Sequence, residues 1–149
     1  MSLLKKIDND IKFAMKSKDA LTLESLRAVK SSILLFKTKS GSSTDLSDQD
    51  EIKILQKLVK QRKDSAEIYK NQNRHELCDT ELNQARIIES YLPKQLSPSE
   101  VSIIIDKIII KLNASSMKDM GKVMGIASKE LSGKSDGKTI SEIVRKKLM

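Results

Sequence analysis

Apolar residues recur along this chain at spacings of three and four, broken by short polar turns, and no stretch keeps the two-residue alternation of a half-buried strand. Ser2 is placed to cap a first helix whose apolar stripe is Leu4, Ile7, Ile11, Ala14 and Met15. Asp19 opens a second, running through Leu23, Leu26, Val29, Ile33 and Phe36. The polar stretch 38–46, with Gly41 inside it, reads as a mobile loop. Ser47 followed by Asp50 starts the longest helix, with Ile52, Leu55, Val59, Ala66 and Tyr69 on one side and charge on the other. Asn71-Gln72-Asn73 interrupts it, and residues 75–91 carry a fourth helix through Leu77, Leu82, Ala85 and Ile88.

Pro93 ends that helix, because the residue before a proline is pushed out of the α region. Leu92-Pro93-Lys94-Gln95-Leu96-Ser97 is the one convincing linker. Ser97-Pro98-Ser99-Glu100 then combines an N-cap, a proline at the first helical position and a glutamate closing a capping box. Val101, Ile104, Ile105, Ile108 and Leu112 follow; a cap and some 14 residues favour helix over strand here despite the isoleucines. Ser116 and Asp119 form a second capping box ahead of Met117, Met120, Met124, Ala127 and Leu131. Asp136 or Thr139 starts the last helix, with Ile140, Ile143, Val144 and Leu148 inward. The expected fold is therefore all-α, about seven helices: an N-terminal helical domain over residues 1–92 and a small three-helix domain over 93–149.

Composition adds a charge asymmetry. The 149 residues carry a formal charge of +8, and residues 94–149 hold 11 Lys+Arg against 6 Asp+Glu, a denser basic excess than the 17 against 14 of residues 1–93. Such a field favours nucleic acid or an acidic surface, although a lysine-rich face kept for solubility has the same composition. The single Cys78 excludes an internal disulfide and fits a reducing compartment. No apolar run approaches the ~20 residues of a membrane span, so no membrane association is expected. The first residues carry Asp8 and Asp10 and lack an apolar block, unlike a signal or transit peptide. The expected location is the cytoplasm, or an organelle if a presequence has been removed.

Four of the five glycines fall in the last 29 residues, as Gly121, Gly125, Gly133 and Gly137, interleaved with Lys122, Lys134 and Lys138 and followed by Arg145, Lys146 and Lys147. Glycine inside a helix costs roughly 0.5–1 kcal/mol against alanine, and the usual reason for a pair four apart is close approach of another backbone. Gly121 and Gly125 share a helix face. One explanation is helix–helix packing inside the small domain; the other is a bare basic face that meets an RNA backbone. Lys118 and Lys122 lie beside them, away from the methionine stripe, which reads as core.

Other motifs carry less. Gly133-Lys134-Ser135 and Gly137-Lys138-Thr139 look like ends of phosphate-binding loops, but the glycine that pattern needs five residues earlier is Ser128 or Ser132. His75 and Cys78 are three apart with no third group to complete a nucleophile or a zinc site. Lys53, Lys57, Lys60, Arg62, Lys63 and Lys70 form a basic stripe on the long helix, read as a solvated face with an RNA-facing ridge as the alternative. No catalytic constellation, metal or cofactor site is expected. Phe13, Phe36, Tyr69 and Tyr91 are the only aromatics, and the first three sit in apolar stripes. A reader of single strands stacks bases on aromatics, so this chain would take folded RNA by phosphate, 2′-hydroxyl and shape.

Leu26-Arg-Ala-Val-Lys-Ser-Ser-Ile33, Lys60-Gln-Arg-Lys-Asp-Ser65, Tyr91-Leu-Pro-Lys-Gln-Leu96, Lys118-Asp-Met-Gly-Lys-Val-Met-Gly125, and Asp136-Gly-Lys138 with Val144-Arg-Lys146 resemble the YqeY-like proteins along essentially the whole chain. The resemblance implies two helical domains similar to the tail of the B subunit of the tRNA-dependent amidotransferase and to the N-terminal region of some glutaminyl-tRNA synthetases. There the module helps hold tRNA and the chemistry lies elsewhere. The resemblance makes tRNA, and through it a synthetase or an amidotransferase subunit, the expected partners. The family-level label of carbon–nitrogen ligase with glutamine as amido donor has no residues here to support it. Two departures stand out: Asn73 replaces a usual glycine, and Lys134 a frequent arginine, which would weaken a bidentate phosphate contact. The functional expectation is a non-catalytic tRNA-binding or amidotransferase-associated module. Lys118, Lys122, Lys134, Lys138, Arg145 and Lys146 would supply phosphate contacts, and Gly121, Gly125 and Gly137 close approach. The alternatives are a protein-interaction module docking a helix on the glycine face, and a subunit of an amide-transferring enzyme.

Overall fold

The computed structural model describes residues 2–41 and 46–149. Among these it is all-α, with seven α-helices: α1 (Leu3–Lys16), α2 (Ala20–Ser40), α3 (Asp48–Asn71), α4 (His75–Glu89), α5 (Pro98–Leu112), α6 (Met120–Glu130) and α7 (Gly137–Leu148), a 3₁₀ turn over Met117–Asp119 preceding α6. The chain divides into two compact units, Met1–Leu92 and Pro93–Met149.

The helix starts follow from side-chain caps. Ser2, Asp19, Ser47, Ser97 and Asp136 each accept from the backbone N–H three residues on, and Ser97 with Glu100 completes a reciprocal box. Ends follow from left-handed residues. Lys18, Asn73 and Asn113 take positive φ (56°, 58° and 54°). Each sits in a paired closure in which the next N–H reaches back five residues: Asp19 to Ala14, Arg74 to Tyr69, Ala114 to Ile109. Asn73 thus occupies a conformation glycine prefers and asparagine tolerates, which is why its presence leaves the α3–α4 turn intact.

In the first unit α1 lies on α2 and α3 on α4, around Ile7, Leu26, Val29, Ile33, Leu55, Val59 and Ile88. Three stripes differ in detail from the sequence expectation. α1 turns Leu3 and Ile7 inward, helped by a hydrogen bond from the Leu3 N–H to Glu51 Oε1 at 3.3 Å. That rotation leaves Met15 and Phe13 outside, the latter 73% exposed, so Phe13 belongs to no apolar stripe. α3 buries Ile54 and Leu58 beside Leu55 and Val59, and α4 buries Cys78 where Leu77 was expected. The expected loop at 38–46 begins later: Thr38 bonds its hydroxyl to the Leu34 carbonyl and stays helical, and α2 closes only at left-handed Gly41. Residues 42–45 of that stretch lie outside the described residues.

The second unit packs α5, α6 and α7 around Val101, Ile105, Val123, Ala127, Leu131, Ile140 and Val144. Val123 centres α6, and the expected methionine stripe flanks it: Met120 and Met124 are half-buried, Met117 exposed. The second capping box is shifted. Ser116 accepts from the Lys118 N–H, and Asp119 from the Ser115 N–H, which makes the 3₁₀ turn instead of a direct α start.

Candidate nucleic-acid interface

α6 is amphipathic by elimination. Val123, Ala127 and Leu131 fill its core row, so the 3.6-residue period turns Gly121, Lys122, Gly125, Ser128 and Lys129 outward, and all five are exposed. A Cβ added at Gly121 or Gly125 would meet nothing within 4 Å, and the same holds at Gly137 in the first turn of α7. Helix packing inside the small domain, one of the two expected reasons for this glycine pair, is therefore overturned: the inner row of α6 does the packing, and the glycines face outward. They flatten the outer surface instead. Lys122 and Lys129 border the flattened strip, and Lys129 is not among the residues singled out from the sequence. Its signal was its place four residues beyond Gly125, the spacing that joins Gly121 to Gly125.

The six cations singled out from the sequence, Lys118, Lys122, Lys134, Lys138, Arg145 and Lys146, are all exposed. Lys147 pairs with Asp106 at 2.6 Å, an ion pair that involves none of the six. The structure does not join them into one field. Lys138, Arg145 and Lys146 share the outer face of α7 with exposed Glu142, four residues from Lys138 and from Lys146 and three from Arg145. Lys138 and Arg145 stand about 11 Å apart along the helix axis. The row of Gly121, Lys122, Gly125, Ser128 and Lys129 holds no carboxylate, exposed Glu130 ending the helix outside it, so the more uniformly positive strip is that row with Lys118 just before it.

Lys134 is placed by a tied loop. Gly133 is buried and left-handed (φ 77°). The Gln95 amide donates to its carbonyl, and the Leu96 N–H donates to the Lys134 carbonyl at 2.9 Å. Residues 95 and 96 of the Tyr91-Leu-Pro-Lys-Gln-Leu96 motif thus serve to fasten the α6–α7 connection. No strand precedes Gly133 or Gly137 among the described residues, so neither has the setting of a phosphate-binding loop.

Elsewhere, His75 is exposed and Cys78 buried, with no bond between them, and no cluster of three or more metal-ligating side chains occurs among the described residues. On α3, Lys63 pairs with Glu89 at 3.0 Å, and Arg62 leaves the solvated stripe to line a cleft. No helix is long and apolar enough to cross a membrane among the described residues.

The family described as Yqey-like protein matches residues 4–148. The chain belongs to the YqeY-like family. It is 36% identical over 141 residues to a Kluyveromyces lactis protein named altered inheritance of mitochondria protein 41, mitochondrial, covering 90% of this chain and 69% of that one. It is 28% identical over 130 residues to the Clavispora lusitaniae protein of the same name, covering 87% of this chain and 74% of that one. Those names place the relatives in mitochondria, in line with the organellar alternative and giving no support to the cytoplasmic one.

Proposed function

We propose that this chain is a non-catalytic module that holds folded RNA of the tRNA kind on the outer face of α6. The observation that supports this reading is the solvent-facing glycine pair, Gly121 and Gly125, bordered by Lys118, Lys122 and Lys129 with no carboxylate in the row. Glycines that cost the helix stability and touch nothing in the fold leave room for an outside backbone, and the flanking ammonium groups suit phosphate. Lys134, Lys138, Arg145 and Lys146 extend the field more loosely. A synthetase or an amidotransferase subunit would be the partner that performs chemistry on the RNA so held. The mitochondrial names of the relatives give this reading an organellar setting.

The test is binding of the full chain to total tRNA and to duplex DNA of equal length at two salt concentrations. Binding to tRNA is expected to exceed binding to duplex and to weaken steeply with salt; Lys122→Gln and Lys129→Gln should each lower the log–log slope by about 1. No binding of either polymer at about 100 mM salt overturns the proposal. A salt-insensitive protein complex lost on Gly121→Leu would assign the same face to a partner helix.

A further inference from the structure

A second feature lies in the first unit and owes nothing to the basic face. An open cleft of about 630 Å³ is lined by Glu24 of α2, by Arg62 and Asp64 of α3, and by Glu81 and Gln84 of α4. Its charge runs against the rest of the molecule: three carboxylates and one guanidinium line it, in a chain of formal charge +8. None of these four groups makes an ion pair or a side-chain hydrogen bond among the described residues.

Two polar groups in the cleft are left without partners. Gln84 is only 7% exposed and lines the cleft, and its amide makes no side-chain hydrogen bond to the described residues, leaving it available to whatever fills the cleft. Arg62 Nε is shielded from water and has no hydrogen-bond partner among the described residues. A shielded guanidinium N–H without an acceptor is destabilising, so Arg62 Nε carries an uncompensated cost among the described residues. A bound ligand would remove it. Apolar residues at these positions would remove it too, yet the cleft is polar throughout its charged rim.

The chemistry of the lining restricts the occupant. Three carboxylates against one guanidinium call for a ligand that is cationic in sum. The Arg62 N–H calls for an oxygen acceptor on the same molecule, reached by a small turn of the partly exposed Arg62 side chain. Gln84 offers both a donor and an acceptor to either part. We propose that this cleft binds a compact cation of the basic amino-acid type: ammonium or guanidinium groups directed to Glu24, Asp64 and Glu81, and a carboxylate or carbonyl oxygen to Arg62 and Gln84. A polyamine satisfies only the first half, and an acidic amino acid only the second.

The experiment is titration of the full chain with L-arginine, spermidine and L-glutamate, followed by calorimetry and by NMR of side-chain amides and arginine Nε–H groups. L-Arginine should bind saturably at one site and shift the Gln84 amide and the Arg62 Nε–H. Spermidine should bind more weakly and L-glutamate not at all. Gln84→Met and Arg62→Met should each lower L-arginine affinity by about tenfold or more. Arg62→Met should not lower the melting temperature, because it removes a shielded N–H without an acceptor. Binding of tRNA should be unaffected, which separates this site from the basic face. If Gln84→Met fails to fold, Glu81→Gln should still weaken L-arginine binding. The proposal is overturned by absence of saturable binding, by spermidine binding as tightly as L-arginine, or by shifts that map away from Arg62 and Gln84.

Discussion

The Tyr91 hydroxyl donates to the Asp10 carboxylate across 81 positions of sequence, fastening the last residues of the first unit to α1. The Lys6 ammonium stands 5.1 Å from the centre of the same ring. Burial first, then the Asp10 hydrogen bond and its negative charge, push the Tyr91 phenol well above its ordinary value. The fold therefore holds the neutral phenol. Its contribution is fully present below the unfolded phenol's pKa of about 10 and is lost as pH rises from there through the folded value. Tyr91→Phe should cost about 1 kcal/mol at pH 7. Between pH 9 and 11 the wild-type chain should lose more stability than Tyr91→Phe, which has no phenol to ionise. Urea unfolding of both chains across that range checks it; parallel losses would mean the hydroxyl contributes nothing.

Gly121 and Gly125 set stability against function. Because an added Cβ meets nothing, Gly121→Ala and Gly125→Ala should each stabilise α6 by roughly 0.5–1 kcal/mol. Under the proposed function, Gly125→Gln, also more helix-favouring than glycine but bulky, should weaken tRNA binding while raising the melting temperature. Thermal unfolding read beside tRNA titration checks both signs in one set of proteins.

The same pair shows what the sequence could and could not convey. Caps are local, so Asp19, Ser47 and Ser97 could be read directly from residue types three apart, while Asp136 and Thr139 both remained open as the start of α7. The basic excess after residue 93 was legible by counting. Which side of α6 faces the core was not, because Met120, Met124 and Val123 are all apolar, and only packing against α5 and α7 selects the row of Val123. That choice of row sends the glycines outward and recruits Lys129. The Arg62 cleft was hidden for a similar reason: on α3 alone Arg62 belongs to a lysine-rich stripe, and Glu24, Glu81 and Gln84 reach it from two other helices.

Lys18 is a strained stop. It occupies a left-handed conformation, which costs a residue bearing a Cβ roughly 1–2 kcal/mol. The closure around it is backbone to backbone, through the Asp19 N–H to the Ala14 carbonyl at 3.0 Å, and the Lys18 side chain is exposed. Lys18→Gly should therefore stabilise the chain, by about 1 kcal/mol after the extra entropy of glycine in the unfolded state is deducted. Asn73→Gly should gain less, because asparagine already tolerates that region. Chemical denaturation of the two variants gives the ranking.

Gly133 is the converse case, where glycine is required. With φ at 77° and no exposure to spare, Gly133→Ala should cost about 1–2 kcal/mol. Gln95→Ala, which removes the donor to the Gly133 carbonyl, should cost about 1 kcal/mol. The two act on one loop, so their effects should be less than additive in the double variant. Lys134 rides on that loop, its carbonyl held by the Leu96 N–H. Loosening the loop should therefore leave the α6 strip intact and remove only what Lys134 adds: a modest fall in tRNA affinity, far smaller than for Lys122→Gln. A fall as large as that of Lys122→Gln would mean that the tied loop, and not the glycine face of α6, is the centre of the binding surface.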